Sequence, residues 1–198
     1  MTTERIEPTV HEIRRVALEM FATRGYDATS VRDIADAVGV RGATLYHHFA
    51  SKEEILWDLT QSALDALAAS WRRAREQVDG TSPLDLFGAF VRAHVRFHID
   101  RRTDAALVNA QLSRLSPDHF NRAAEQRHTY EQELTSIVRS CLADGFHDVP
   151  DLRVTVFAIL QMAIAIPTWY QPNGPLTDDE IVSAYENLAV KMIALPKS

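Results

Sequence analysis

The segment SVRDIADAVGVRGATLYHHFASKEEIL, Ser30 to Leu56, constrains the chain most, because it starts, stops and restarts a helix within a few turns. Ser30 followed by Asp33 reads as a capping box. Val31, Ile34, Ala35 and Val38 then form the apolar stripe of a short helix, and Gly39 suits the left-handed residue that closes it. A second short helix is expected over about Gly42–His48, with Leu45 and Phe49 turned inward. Ser51 and Glu54 make a second capping box, which opens a long helix to about Val78. A hairpin built only for packing would be longer, and less polar than the piece that carries Thr44, Tyr46, His47 and His48.

The helical period continues in both directions. Val10, Ile13, Ala17, Met20 and Phe21 share one face of a helix that ends at Arg24-Gly25. Beyond the break at Asp79–Pro83, helices are expected at about 84–100, 103–114, 117–144, 150–170 and 177–194. Ser116-Pro117, Asp144-Gly145 and the run Gln171–Pro175 separate them, and no strand alternation, repeat or low-complexity tract intervenes. The fold class is therefore all-α. A small N-terminal three-helix domain, residues 1–50, precedes a larger helical domain, residues 51–198, and the helix at about 51–78 is the joint.

Composition agrees with this division. The 198 residues are 46% hydrophobic, enough for a core, and seven Gly and eight Pro are too few for a disordered chain. A single cysteine, Cys141, excludes an intrachain disulfide framework and suits a reducing cytoplasm. The opening MTTERIEP lacks the apolar core of a secretory signal. Val154–Tyr170 carries no charge for seventeen residues, the lower limit for a membrane span. Because it contains Gln161, Pro167 and Thr168, a core or interface helix is expected there.

Two short helices across a glycine turn form a helix-turn-helix. In such a unit the first helix braces the second, whose N-terminal residues face base edges in the major groove. Arg41, Gly42, Thr44 and Tyr46 lie on or near that second helix. Lys52, at the positive start of the next one, is placed to meet a phosphate. The net charge of −6 argues against a general polyanion binder. Residues 1–52, however, hold seven Lys or Arg against seven Asp or Glu, so the whole acidic excess lies beyond residue 52.

The larger domain offers a partner surface and a pocket. The uncharged helix at about 150–170 and the last helix, about 177–194, carry more apolar surface than one subunit needs. Ile181, Val182, Tyr185, Leu188, Ala189 and Met192 lie on the latter. Paired with their two-fold mates, these helices would build a four-helix homodimer interface, which a protein reading two half-sites requires. A ligand site is expected among Phe90, His94, Phe97, His98 and Leu112, with Tyr130 from the following helix and Met162 and Trp169 from the uncharged one. Each of these aromatics serves core packing as readily, so the set rather than any member is expected to contain the site. His94 and His98, spaced i, i+4, fit three roles. They could be a metal pair completed by His128, Asp100 or Glu131, polar pocket groups, or packed or solvated residues. Neither a metal nor a cofactor is expected.

Residues 10–56 resemble the N-terminal domain of the TetR family of bacterial transcriptional regulators, above all in ALEMFATRGYDATSVRDIADAVGV and TLYHHFASKEEIL. The Gly25-Tyr26 turn, Thr29, Ile34-Ala35, Gly39-Val40, Thr44-Leu45-Tyr46, Phe49 and Ser51-Lys52-Glu53 stand where the family pattern has them. The resemblance implies Thr29 or Ser30, Tyr46, His47 and Lys52 on phosphates, and Arg41, Gly42 and Thr44 nearest the bases. It also implies a diverged body for ligand binding and dimerisation. At the turn the chain departs from the family: many relatives have Ser and then Lys or Arg after the Val, whereas here the order is Val40-Arg41-Gly42-Ala43. A cation at a helix N-terminus is unfavourable by about 0.3–1 kcal/mol, so Arg41 is expected to be stabilised by DNA. The tail WYQPNGPLTDDEIVSAYENL is similar to that of family members that regulate steroid and fatty-acid breakdown, whose effectors are CoA thioesters or related lipids. For such an effector Arg72, Arg73, Arg75, Arg101, Arg102 and Arg114 are the available cations.

The function expected is a cytoplasmic, dimeric, ligand-responsive repressor of a near-palindromic double-stranded DNA operator, released by a small hydrophobic or acyl-CoA-type effector. The alternative is an effector-independent DNA-binding factor. The chain has no Gly-rich phosphate loop, Gly-x-Ser-x-Gly, Cys/His cluster or His-Glu-x-x-His, so it is not read as an enzyme. No membrane partner is expected.

Overall fold

The computed structural model describes residues 10–79, 82–145 and 149–194. Among them there is no strand, and the helices follow the sequence expectation closely. α1 (Val10–Thr23), α2 (Val31–Val38) and α3 (Gly42–His48) form the head. α4 (Lys52–Glu76), α5 (Pro83–Asp100), α6 (Arg102–Gln111), α7 (Pro117–Ala143), α8 (Leu152–Ile164), α9 (Ile166–Trp169) and α10 (Asp178–Ile193) follow.

Two departures have clear causes. The helix expected to 114 gives way at Leu112–Arg114 to a 3-10 turn, the tighter hydrogen bonding with which helices often end. The uncharged helix is two pieces. Pro167 has no N–H to continue the hydrogen-bond ladder and its ring would crowd the preceding turn. The chain therefore closes α8 at Ala165 and restarts as α9, with Pro167 in the first turn.

The head is built around Ile13, Ala17, Phe21, Ile34, Leu45 and Phe49, joined by Ile55, Leu56 and Leu59 from α4. A bidentate pair between Arg14 and Asp58, at 2.5 and 2.6 Å, ties α1 to α4. This core is not closed by residues 10–59 alone. Leu107 of α6, Leu115 and Ala123 of α7 complete it. The corner between α6 and α7 adds polar clasps. Arg114 donates to Asp27 at 2.6 Å. The Ser116 N–H donates to Glu53 Oε1 at 2.8 Å, and His119 Nδ1 meets the same oxygen at 2.9 Å. Burial alone would raise the Glu53 pKa, but these hydrogen bonds outweigh it and hold the carboxyl below its ordinary value. The His119 ring stacks on Trp57 with centroids 4.6 Å apart.

The body has its own core, centred on α5. Phe87, Phe90, Val91, Val95 and Ile99 point in several directions and all are buried, as expected for a helix surrounded by others. Leu134, Val138 and Cys141 of α7, Val156 and Ile159 of α8, and Ile181, Val182, Ala189 and Ile193 of α10 pack around them. Ion pairs from Arg92 to Glu186 and from Arg96 to Asp179 fasten α10 to α5.

Part of the apolar surface stays outside. Val154 and Phe157 of α8 are 65% and 57% exposed, and Leu188 of α10 is 50% exposed. The apolar stretch Leu152–Trp169 is only 28% buried within the subunit. Of the six α10 residues expected at a dimer interface, Ile181, Val182 and Ala189 are turned into the subunit's own core, whereas Leu188 faces outward.

Candidate nucleic-acid interface and effector cavity

α2 is held at both ends. The Ser30 hydroxyl accepts from the Asp33 N–H at 3.1 Å and donates to Asp33 Oδ2 at 2.6 Å, and the same carboxylate accepts from the Ser30 N–H at 2.8 Å. Those bonds hold the Asp33 carboxyl below the usual carboxylate range. At the other end Gly39 has φ 83°, a conformation that favours glycine.

α3 is different in kind. Its N-cap is Arg41, whose side chain makes no capping bond, and only Leu45 in the helix is buried. Tyr46 is 56% exposed, and Arg41 and His47 are exposed beside it. Among the described residues the Arg41 guanidinium has no hydrogen bond or ion pair. A Cβ placed on Gly42 would meet nothing within 4 Å, so the fold itself does not require glycine there.

The structure brings Arg41, Gly42, Thr44, Tyr46 and His47 together around this one short helix, with Ser30 exposed at the start of the bracing one. Thr29 does not join them. It is 1% exposed, and its hydroxyl donates to the Gly25 carbonyl at 2.9 Å, fixing the turn before α2. Of the pair Thr29 or Ser30, only Ser30 faces outward. Lys52 has a structural task the sequence did not disclose. Its Nζ donates to the Tyr26 carbonyl at 2.9 Å and lies 4.3 Å from the Tyr26 ring centroid. An ammonium has three donors, so this leaves others for a phosphate.

The body encloses a cavity of about 420 Å³ between α4, α5, α6, α7 and α8, within the usual range for a small-molecule site. His94, Phe97, His98 and Tyr130 line it as expected. Four expected members do not. Phe90 is fully buried and packs behind, its ring 4.9 Å from that of Tyr130. Leu112 lies at the corner and packs on the head's core. Met162 packs on the body core. Trp169 is 46% exposed and stacks on Tyr185, in the separate short helix α9 beyond the break before Pro167.

The residues sequence reasoning missed come from α4, α6 and α7: Ala63, Ala68 and Trp71, then Asn109, then Gln126 and Arg127. One signal was available for Arg127. It falls at i+4 from Ala123 and i−3 from Tyr130, on the buried stripe of α7, where a cation is out of place. Of the six cations considered for a CoA-type effector, Arg72 reaches the cavity lining and is exposed there. Arg75, Arg101 and Arg114 are paired to Glu133, Asp104 and Asp27.

The histidines are polar wall groups. His94 Nε2 lies 3.2 Å from the Leu160 carbonyl, which can only accept, so Nε2 carries the proton and Nδ1 accepts from the Tyr130 hydroxyl at 3.2 Å. With both nitrogens engaged, His94 has no lone pair for a metal. His98 Nδ1 donates to the His94 carbonyl at 2.8 Å. Burial holds both imidazoles neutral, pushing His94 well below its ordinary pKa and His98 down to about 4.

A short capped helix, a left-handed glycine and an exposed second helix with a free cation define a helix-turn-helix DNA-binding unit, here mounted on a helical body with a cavity. Residues 13–59 match the family described as bacterial regulatory proteins, tetR family. Residues 80–193 match the one described as tetracyclin repressor-like, C-terminal domain. The chain is 32% identical over 178 residues to the HTH-type transcriptional repressor KstR2 of Mycobacterium tuberculosis, covering 88% of this chain and 87% of that protein. The solved structure of the ketosteroid transcriptional regulator KstR2 of Mycobacterium tuberculosis superposes with a TM-score of 0.84 at 26% identity, over 97% of this chain and 98% of that one. The TetR family transcriptional regulator PfmR from Thermus thermophilus gives a TM-score of 0.81 at 32% identity, over 93% and 99%. The chain belongs to the TetR family and is a helix-turn-helix transcription regulator.

Proposed function

We propose that the protein is a cytoplasmic, homodimeric repressor that leaves a near-palindromic operator when a small hydrophobic or acyl-CoA-type effector fills the cavity. One observation carries this reading. α4 places Ile55, Leu56 and Leu59 in the head's core and, over the next one to three turns, Ala63, Ala68 and Trp71 at the cavity. A single rigid helix thus belongs to both places, and a ligand that shifts it moves the reading helix. The ligand acts only through its difference in affinity between the two states, typically about 1–3 kcal/mol, or 5–150-fold.

In this reading Arg41, Gly42 and Thr44 meet base edges, and Ser30, Tyr46, His47 and Lys52 meet phosphates. The outward faces of α8 and α10, with Val154, Phe157 and Leu188, pair across a two-fold axis. That pairing sets the two heads about 34–36 Å apart or at a multiple of that distance. The kinship with KstR2 repressors supports the repressor sign and a lipid-like effector.

The test is a mobility shift with the DNA flanking the protein's own gene, with and without acyl-CoAs and sterol-type lipids. A sequence-preferring complex that dissociates with one ligand class is expected. Absence of any sequence-preferring complex at low salt defeats the reading. A complex indifferent to every ligand leaves an effector-independent factor in its place.

A further inference from the structure

We propose that the cavity selects an effector bearing a free carboxylate on an apolar body, with the carboxylate bound by Arg127 and Asn109. This rests on the ligand-responsive reading above and names the ligand class within it.

The argument starts from where Arg127 sits. It lies on the stripe of α7 between buried Ala123 and Tyr130, and it lines the cavity. Its one hydrogen bond among the described residues runs from Nη1 to Asn109 Oδ1 at 3.1 Å. A guanidinium has five N–H donors and cannot shed its charge at working pH. Here it meets only a neutral amide, although burial already works against its charged form. A partly desolvated cation with unused donors is costly unless an anion completes it.

Among the described residues the cavity supplies no such anion. Asp65 is exposed, and Glu133 is taken by Arg75 at 3.3 Å and Trp71 Nε1 at 3.5 Å. Both histidines are neutral. By accepting from Arg127, Asn109 Oδ1 fixes the orientation of its amide and leaves the NH₂ free to donate. Arg127 and Asn109 together therefore offer a charge and several N–H groups to the two oxygens of one carboxylate.

One further group specifies the rest of the ligand. His98 spends Nδ1–H on the His94 carbonyl, so its Nε2 is a bare acceptor at the cavity wall, where it would accept from a hydroxyl on the ligand. Much of the remaining lining is apolar, with Phe97, Val108, Leu160 and Ile164 in it. The CoA thioester of a monocarboxylic acid has no free carboxylate. Its anionic groups are phosphates, for which the exposed Arg72 at the same cavity is the natural partner.

The experiment uses full-length protein and three matched probes, decanoate, decanol and decanoyl-CoA, together with the fused-ring acid cholate and its C24 alcohol. Displacement of a bound hydrophobic fluorophore gives their affinities, and release of operator DNA is read in parallel. Each acid is expected to bind about 10–100-fold more tightly than its alcohol. Arg127→Gln, which keeps a donor for Asn109, should erase that preference without weakening the alcohols. Arg127→Lys should restore part of it, since a point charge replaces a two-pronged donor. Acids no better than alcohols, or an acid preference untouched in Arg127→Gln, overturn the inference and leave the ligand-responsive reading standing. Binding by decanoyl-CoA alone, sensitive to Arg72→Gln and not to Arg127→Gln, overturns it in favour of phosphate recognition. No binding by any probe overturns the inference and counts against the ligand-responsive reading as well.

Discussion

The head and the body use polar groups in opposite ways. In the head, some polar side chains finish helix ends, as Ser30 and Asp33 do, some clasp one element to another, as Arg14 and Asp58 do, and those of α3 face solvent, with no partner for Arg41 among the described residues. In the body, the distinctive polar groups point inward. His94, His98, Tyr130 and Arg127 surround a cavity and satisfy one another only in part. A surface whose polar groups are free reads a polyanion that arrives with its own water and ions. A cavity whose polar groups are few and fixed reads a small molecule by shape and by two or three bonds.

The largest test of this contrast concerns whether the two regions are separable. Phe90→Ala removes a fully buried ring from the body core and is expected to cost about 3–5 kcal/mol. Because Leu107, Leu115 and Ala123 of the body complete the head's core, urea unfolding followed by far-UV circular dichroism should shift as one transition. Two resolved transitions, with the head's unmoved, would break the claim that the cores share a fate.

Acid should single out the body next. The folded form keeps His98 neutral down to about 4, whereas an unfolded histidine takes a proton below about 6.5. Between those values the unfolded chain binds more protons, so stability falls as pH falls. From pH 7 to 5 the loss from His98 alone is about 2 kcal/mol, and His94, shifted in the same direction, adds to it. A urea midpoint unchanged over that range would show that these imidazoles are not held neutral.

Arg41→Ala should do the reverse, sparing stability and striking function. Among the described residues the side chain has no partner to lose, so the unfolding free energy should stay within about 0.5 kcal/mol. Operator affinity should fall by about 1–3 kcal/mol, with relaxed base preference if Arg41 reads a guanine. Unchanged affinity and preference would remove Arg41 from the interface.

Lys52→Gln spans both behaviours. Loss of the ammonium over Tyr26 should lower stability by about 1 kcal/mol. Loss of a phosphate contact should reduce the slope of log affinity against log salt by about 0.9. A lowered stability with an unchanged slope would assign Lys52 to bracing alone. The smallest effect belongs to Gly42→Ala. With open space around the new Cβ, stability should rise by up to about 0.5 kcal/mol, while operator binding weakens if the backbone there approaches the DNA. Equal affinity in a titration by fluorescence anisotropy would show that the approach is not that close.

The same contrast explains what could be read before folding. Head signals are local. Ser30 and Asp33 are three residues apart, Gly39 closes its own helix, and Leu45 marks the single inward point of α3, so the helices were legible to within a residue or two. Thr29 misled because exposure is not local: the α1–α2 turn folds over it, and nothing in a sequence window shows that. The body's helices were equally legible from their breaks, apart from the end of α6 and the interruption before Pro167. Its cavity was half legible. His94, Phe97, His98 and Tyr130 share inward stripes of α5 and α7, but which stripe residues face empty space depends on how five helices meet. Small residues make space as surely as large ones fill it, and Ala63 and Ala68 gave no sign of that in a sequence read for aromatics. Arg127 was visible as an anomaly on an apolar stripe, and its meaning emerged only beside Asn109.

The corner at Leu112–His119 bears on how such regulators are engineered and how they diversify. A chimaera that transplants residues 1–50 onto a relative's body would leave Asp27 without Arg114 and would set Ile34 and Leu45 in a core that lacks this chain's Leu107, Leu115 and Ala123. In the reading proposed above, DNA specificity in this scaffold is thus inherited with a segment more than sixty residues downstream of α3. A viable head swap should carry α4's first turns and the α6–α7 corner as one graft.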